Sequence, residues 1–225
     1  VATPPVWVHY TICVSVLFFI LNGIFLYEHG RNQGILSTEA IDVGQGSSTL
    51  VRFPGKIVML IDGGGFPNST FDVGKYIVAP YLWHERINAI DIVVLTHPHP
   101  DHLHGLLFIL QNFSVGEVWS NGEASNSLKY QEFIKVIHER GIPHRRLTSN
   151  VAPIILEGVR IEYLNPSSPG LKNEMEGGYT EVNDRSLVMR MTFGSVSILF
   201  TGDISGATEE TILSHRRDID SPLLF

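Results

Sequence analysis

The segment THPHPDHLHG at residues 96–105 contains the densest group of possible metal ligands in the chain. Its candidate ligands are His97, His99, Asp101 and His102. An ordinary surface loop seldom brings so many ligand types into six residues. Imidazole suits Zn²⁺, whereas added oxygen ligands favour Mn²⁺. Two adjacent cations can hold a phosphoryl or acyl group and lower the pKa of a shared water towards neutrality. The segment therefore predicts a hydrolytic centre with two divalent ions, Zn²⁺ or Mn²⁺.

The element before this segment must position it rigidly. Residues 90–95, IDIVVL, predict a buried strand that ends directly at the cluster. In an extended stretch, side chains two residues apart project to the same side, so His97 and His99 are predicted to hold one cation together. Pro98 and Pro100 are predicted to stiffen this stretch and to keep it out of a helix.

A further carboxylate, Asp203, follows an apolar strand predicted at 196–200. We predict that Asp101 and His102 hold the second cation and that Asp203 bridges both ions from the opposite side. Asp101 is also expected to orient the attacking water. The alternative for Asp203 is a cap at the start of the helical segment that follows it. His104 is expected to lie outside the ligand set.

Two glycine-rich turns follow other predicted strands. They are DVGQG at 42–46 and LIDGGG at 60–65, with Asp42 and Asp62 as their acidic residues. Neither has the GxGxxG helix start of a dinucleotide site, so no nucleotide cofactor is expected. The default interpretation of both carboxylates is a turn that supports the metal loops.

The remaining pattern predicts an α/β fold with more than one sheet, because strands come first, then alternate with helices, and then recur. The predicted strands are 35–42, 48–53, 56–61, 90–95, 115–119, 159–164, 186–193 and 196–201, and the predicted helices are 73–82, 103–110 and 127–140. The first three strands are expected to form an antiparallel meander. Residues 166–184 are rich in Gly, Pro, Ser and Asn and predict a surface loop beside the site.

The N-terminal region is expected to cross a membrane. Residues 6–27 carry no charge and are long enough for a helix through a bilayer, which needs about 20 residues. A secretory signal peptide is the alternative, but it would have a basic leader and a shorter apolar core. We therefore divide the chain into a transmembrane helix with its linker, 1–34, and one domain, 35–225. Because the first residue is Val, the chain is expected to be a piece of a longer protein.

Composition limits the other possibilities. The 225 residues have a formal net charge of −7 and a single cysteine, so an internal disulfide is excluded and binding of nucleic acid by bulk charge is disfavoured. The densest basic cluster comprises Arg140, His144, Arg145 and Arg146. It either guides a phosphate backbone or is a helix end whose cations complement the helix dipole.

Five segments in order resemble one protein family. They are DVGQG (42–46), LIDGGG (60–65), THPHPDH (96–102), NDRSLV (183–188) and LFTGDI (199–204). Together they are similar to the metallo-β-lactamase-fold domain of the ComEC family of DNA-internalisation competence proteins, and the apolar helix is similar to the last membrane helix of that family's channel. The resemblance implies an αββα sandwich. It also implies metal binding by His97, His99, Asp101 and His102, with Asp203 as the bridging carboxylate.

The same resemblance implies a role in transformation. One DNA strand crosses the membrane channel while this domain, an integral membrane part on the extracytoplasmic side, hydrolyses the other strand. Its expected partners are single-stranded DNA, the membrane and other DNA-uptake proteins.

The sequence departs from the family pattern in three places. Ser47 stands where the family usually has an acid, and Asn183 and Asp184 stand where many superfamily members have a histidine. The family's downstream His-rich stretch is absent, so an incomplete second metal site is expected in this truncated chain. Two other functions therefore stay open: hydrolysis of a small ester, thioester or lactam, and a non-catalytic DNA-binding module.

Overall fold

The computed structural model describes residues 5–29, 34–167, 179–215 and 223–224. The helices are α1 (Val6–His29), α2 (Ala79–His84), α3 (Pro100–Asn112), α4 (Leu128–Glu139), α5 (Tyr179–Asn183) and α6 (Gly206–His215), and a π-helical turn, Gly74–Val78, runs directly into α2. The strands are β1 (Ser37–Ala40), β2 (Thr49–Arg52), β3 (Val58–Ile61), β4 (Ala89–Leu95), β5 (Ser114–Ser120), β6 (His144–Arg146), β7 (Ile154–Leu156), β8 (Val159–Asn165), β9 (Val188–Phe193), β10 (Val196–Phe200) and β11 (Leu223–Leu224).

The strands form two sheets, which confirms the predicted α/β fold with more than one sheet. The first sheet has the order β1-β2-β3-β4-β5-β6, and the second has the order β11-β10-β9-β8-β7. In the first sheet, β1, β2 and β3 pair antiparallel, as the predicted meander requires, and β3 to β6 pair parallel. The second sheet is antiparallel except between β10 and β11.

Alternating side chains of the first sheet enter two separate apolar layers. Leu60, Val93 and Val118 face the helices α2, α3 and α4. Their neighbours on the same strands, such as Val94 and Trp119, face the second sheet. This alternation follows from the two-residue period of a strand and makes the first sheet the central wall of the domain. Loops at the edge of this sheet are consequently supported by the helices on one face and by the second sheet on the other.

Helix α1 is a separate apolar element. Residues 6–24 form the one described helix that is long and apolar enough to cross a membrane, and none of that stretch is buried within the structure. Trp7, Phe18 and Phe19 are more than half exposed. The residues that connect it to the domain, 30–33, lie outside the described residues.

Local sequence patterns predicted some helix ends correctly and others incorrectly. Ser127 caps α4 by accepting a hydrogen bond from the Tyr130 N–H at 3.1 Å, and Gly141, with φ of 63°, follows the end of the helix. The prediction that Pro100 holds its segment out of a helix was wrong. Pro100 is the first residue of α3, a position where its missing N–H costs nothing because that N–H would have no partner in the helix.

Four described elements were not predicted: β6, β7, β11 and α5. Strands β6 and β7 have only three residues each, too few for a recognisable alternation. Helix α5 lies at the end of the predicted loop 166–184, and residues 168–178 of that loop lie outside the described part of the chain. Strand β9 begins at Val188, so Ser186 belongs to the turn before it.

Candidate metal centre

Several polar residues of the candidate centre follow parallel strands that end at one edge of the first sheet. Asp62 follows β3, and Thr96 and His97 follow β4. In the parallel register Ile61 stands opposite Val94, and the Asp62 N–H donates to the Val94 carbonyl at 2.8 Å. Because the carboxyl ends of parallel strands meet at one edge, residues distant in sequence become neighbours there.

Close backbone contacts hold the start of α3 against this edge. Gly46 has a φ of +81°, and a Cβ on it would lie 1.8 Å from the Asp101 carbonyl oxygen. A Cβ on Gly105 would lie 1.9 Å from the Gly63 carbonyl oxygen. Both positions therefore exclude any side chain, which explains why the two glycine-rich turns accompany the histidine cluster.

The structure brings His97, His102 and Asp203 to one point. One ligand atom from each lies within 4.8 Å of the others, and Oδ1 of Asp203 is 3.3 Å from Nε2 of His102. The ring of His97 is 4.1 Å from that of His102 and 4.7 Å from that of His99, measured between centroids. The tightest group thus takes members from both of the predicted cation pairs. All three histidines are buried, whereas Asp203 has a side chain that is 41% exposed.

Asp62 orients His102. Its Oδ2 accepts a hydrogen bond from the His102 Nδ1–H at 2.8 Å, and both side chains are 1% exposed. Its carboxylate also accepts from the Thr96 N–H and hydroxyl, each at 2.8 Å. Because Nδ1 is engaged with Asp62, Nε2 of His102 faces Asp203 and offers a lone pair to a cation once its proton is released. A carboxylate on the far nitrogen is a common support for a metal-binding imidazole.

Hydroxyl groups orient His97 in the same way. Ser186 donates to the Asn183 carbonyl at 2.7 Å, and Thr96 donates to Asp62. Each hydroxyl has one proton, so both must accept from the His97 Nδ1–H, at 3.2 and 3.1 Å. Nε2 of His97 is then the free acceptor. Ser186 also accepts from the Asp203 N–H at 3.2 Å, which joins both stretches of chain.

Burial and charge shift the ionisation of these groups. Burial lowers the pKa of His97 and of His99, with a contribution from neighbouring imidazoles, and contacts of Asn183 with both rings oppose this effect. Burial also disfavours the charged form of His102, but Asp62 and Asp203 outweigh it and raise its pKa to about 10. The hydrogen bond with His102 lowers the pKa of Asp203.

The donor set fits a divalent cation. Nε2 of His97 and Oδ1 of Asp101 are buried and lack a hydrogen-bond partner among the described residues. A buried polar atom without a partner is costly, and a bound cation would satisfy such an atom. His102 must release its Nε2 proton to bind the same ion, so cation binding is coupled to proton release.

The structure separates the roles of three residues that the sequence left open. Asn183 contacts the imidazoles of His97 and His99. Asp184 instead accepts the Ser205 N–H at 2.8 Å and so holds the start of α6. It therefore has the capping role considered for Asp203. Ser47 supports the α3 segment through its backbone, because its N–H donates to the Asp101 carbonyl at 3.2 Å.

Two other acidic or basic candidates lie away from the centre. Asp42 is exposed and accepts a hydrogen bond from the Gly44 N–H at 3.1 Å, so we assign it only the role of shaping the turn. His104 is half-buried and lines a cleft of about 410 Å³ together with Lys129. Among the described residues, the group of converging ligand atoms does not include His104, and it does not include the predicted ligands His99 and Asp101.

Sequence reasoning missed how Asp62 and Ser186 act. Both were visible as polar residues next to a strand end, within LIDGGG and NDRSLV. Their partners, His102 and His97, lie 40 and 89 positions away in the chain. The sequence therefore indicated that both residues lie next to a strand end, but it did not indicate which atoms they contact.

The chain is similar to several known proteins. Among curated relatives, ComE operon protein 3 of Bacillus subtilis (strain 168) is 24% identical and covers 95% of this chain and 27% of its own length. Competence protein ComA of Neisseria gonorrhoeae is 23% identical and covers 90% of this chain and 27% of its own length. The chain thus spans about a quarter of the length of these two relatives.

A solved structure, the diiron beta-hydroxylase CmlA from Streptomyces venezuelae, is 17% identical, covers 84% of this chain and 34% of its own, and superposes with a TM-score of 0.45. The family described as the metallo-beta-lactamase superfamily matches residues 41–222, which include every residue of the centre. The mixed α/β fold and the expected binding of divalent metal are those of this family. The chain belongs to the metallo-β-lactamase superfamily.

Proposed function

We propose that this chain is the metal-dependent nuclease part of a DNA-uptake system and that it hydrolyses phosphodiester bonds of the DNA strand that is not imported. The observation that carries the proposal is the meeting of His97, His102 and Asp203 at a buried edge, with ligand atoms within 4.8 Å of one another. The competence proteins named above are similar to this chain over nearly all of its length.

The residues of the centre have distinct tasks in this proposal. The residues that would hold two divalent ions, Zn²⁺ or Mn²⁺, are His97, His99, Asp101, His102 and Asp203. Such ions supply Lewis acidity and a water whose pKa is near neutrality. Asp62 keeps the proton of His102 on Nδ1, and Ser186 does the same for His97. Asp101 orients the attacking water, and the exposed side of Asp203 faces the substrate.

Helix α1 anchors this activity in the membrane. Its length and the absence of any buried residue over 6–24 support a location in lipid, where the apolar side chains would be buried. In the proposed arrangement the chain is integral to the cell membrane, its hydrolase domain lies on the extracytoplasmic side, and other DNA-uptake proteins supply the strand.

The full chain in detergent, incubated with single-stranded DNA and Mn²⁺ or Zn²⁺, tests the proposal. We expect cleavage that stops when the metal is chelated and that the substitution Asp101→Ala abolishes. Circular dichroism of the Asp101→Ala variant should match that of the unsubstituted chain, because the fold does not rest on this carboxylate. Exposed Asp42, which only shapes a turn, offers the matched control Asp42→Asn.

The outcomes separate the alternatives. Turnover of a small ester, thioester or lactam without cleavage of DNA would replace the proposal with a small-substrate hydrolase. Binding of DNA without turnover under every metal condition would replace it with a binding module. Full activity of the Asp101→Ala variant would contradict the role given to Asp101.

A further inference from the structure

The structure divides the basic cluster 140–146 into residues with and without a structural task. Arg140 donates to the carbonyls of Leu110 and Phe113 and so caps the end of α3. Arg145 pairs with Glu117 at 2.6 Å. Arg146 is exposed, and no carboxylate in the described part of the chain lies within 4.0 Å of its guanidinium.

Arg146 also lies at the edge that carries the metal centre. In the parallel register Leu95 stands opposite Ser120, and Ser120 stands opposite Arg146. Strands are about 4.8 Å apart, so the Arg146 backbone is roughly 10 Å from Leu95, two residues before His97. Arg145 points to the opposite face of the same strand, because successive side chains alternate.

The surroundings of Arg146 keep its side chain at this edge. Its Cβ, Cγ and Cδ lie 3.3 to 3.5 Å from the position that a Cβ on Gly122 would occupy, so the stem lies across the turn after β5. Its positive charge opposes protonation of His144 and lowers the pKa of that imidazole in addition to burial. The guanidinium is thus a cation without a carboxylate partner in the described part of the chain, on a strand that ends at the same edge as the metal centre.

We propose that Arg146 binds a backbone phosphate of the polynucleotide, adjacent to the phosphodiester held at the metal centre. This inference rests on the proposed nuclease function and adds a residue that selects for a polyanionic substrate. A guanidinium matches the geometry of a phosphate with two parallel hydrogen bonds. A neutral lactone or thioester has no group for it, so Arg146 distinguishes the two substrate classes.

The test measures binding of a fluorescent single-stranded oligonucleotide to the full chain with Mn²⁺, in the non-cleaving Asp101→Ala background, over a series of salt concentrations. We expect Arg146→Ala to raise the Kd about tenfold at low salt, the loss typical of a charged hydrogen bond. The slope of log Kd against log salt should fall by about 0.7, the value for one phosphate contact on a single strand.

Arg145→Ala is the matched control, since it removes the same charge from the neighbouring residue on the opposite face. It should leave both the Kd and the slope unchanged. Arg146→Lys should keep the slope and lose part of the affinity, because lysine retains the charge without the planar fork. Melting temperatures of all variants verify that they fold.

Equal effects of Arg145→Ala and Arg146→Ala would overturn the inference, because the contribution would then be general charge. An unchanged slope in Arg146→Ala would overturn it as well. Absence of DNA cleavage by the unsubstituted chain with either metal is a different result, and it refutes the proposed nuclease instead.

Discussion

Two buried groups of charged side chains differ in whether their polar atoms have protein partners. On the second sheet, Glu162 accepts from Arg190 at 2.7 and 2.9 Å and from Arg160 at 2.9 Å. Both carboxylate oxygens are therefore paired with cations. We call these three residues the ion cluster of the second sheet.

The metal centre is satisfied on one side only. Asp62, Thr96 and Ser186 accept hydrogen bonds from the Nδ1 atoms of His97 and His102. In contrast, Nε2 of His97 and Oδ1 of Asp101 have no hydrogen-bond partner among the described residues. A paired group fixes structure, whereas buried lone pairs without a protein partner prepare a binding site. Burial alone does not distinguish the two, because Glu162 and His102 are both almost inaccessible.

The largest expected effect comes from the exposed carboxylate of the metal centre. Asp203→Asn removes a charged ligand while preserving the shape of the side chain. We expect metal affinity to fall more than the roughly 100-fold typical of losing an outer partner of a ligand, because Asp203 is itself a ligand in the proposed centre. Isothermal titration with Mn²⁺ and Zn²⁺ measures the change. An affinity within tenfold of the unsubstituted chain would remove Asp203 from the ligand set.

Breaking the ion cluster of the second sheet should change stability and leave metal affinity unchanged. Arg190→Ala leaves Glu162 with Arg160 alone, and we expect the free energy of unfolding to fall by about 3 kcal/mol, the low end for a broken buried pair. Lys129→Ala breaks the exposed pair with Glu132 and should cost less than about 0.5 kcal/mol. Denaturant titration compares the two variants. A loss of metal affinity in Arg190→Ala would erase the distinction between the two groups.

Asp62→Asn tests whether the inner partner acts through the imidazole. The amide keeps the size of the side chain but removes its charge. We therefore expect the His102 imidazole to be less well oriented and less basic. We expect metal affinity to fall about 10- to 100-fold. Ser48→Ala is a nearby control, because the buried Ser48 hydroxyl donates only to the Asp62 carbonyl. Equal losses in both variants would indicate a general disturbance of the turn.

The smallest effect is a difference in pH dependence between the two groups in metal-free protein. The pKa of Glu162 is lowered despite burial, because both arginines stabilise its charge, so its stabilisation is present above the unfolded pKa near 4.5 and is lost as pH falls. The pKa of His102 is raised from 6.5 to about 10, so its stabilisation is present below 6.5 and is lost as pH rises towards 10.

Unfolding titrations with a chelator present, at several pH values, measure this contrast. The stability difference between the unsubstituted chain and Arg190→Ala should shrink below about pH 4.5. The difference for Asp62→Asn should shrink between about pH 6.5 and 10. Parallel curves for the two variants would show that the groups respond to protonation alike.

Part of the metal centre could be predicted from the sequence because its elements are local. The apolar run before Thr96 predicted a strand, the glycines at 44–46 and 63–65 predicted tight turns, and the donor types predicted divalent cations. The α/β fold followed from the same periodicities. The interpretation of Pro100 failed because proline excludes a helix interior but suits a helix start, and spacing alone did not distinguish these positions.

The sequence determined which ligand chemistry is present and which strand ends carry it, since these depend on residue type and on patterns of a few neighbouring positions. Only the tertiary structure decided that Asp62 contacts His102, that Ser186 joins His97 to Asp203, and that Arg146 lacks the ion pair that occupies Arg145. These contacts depend on the register between strands far apart in the chain. That register is set by packing across two sheets, and no local spacing encodes it.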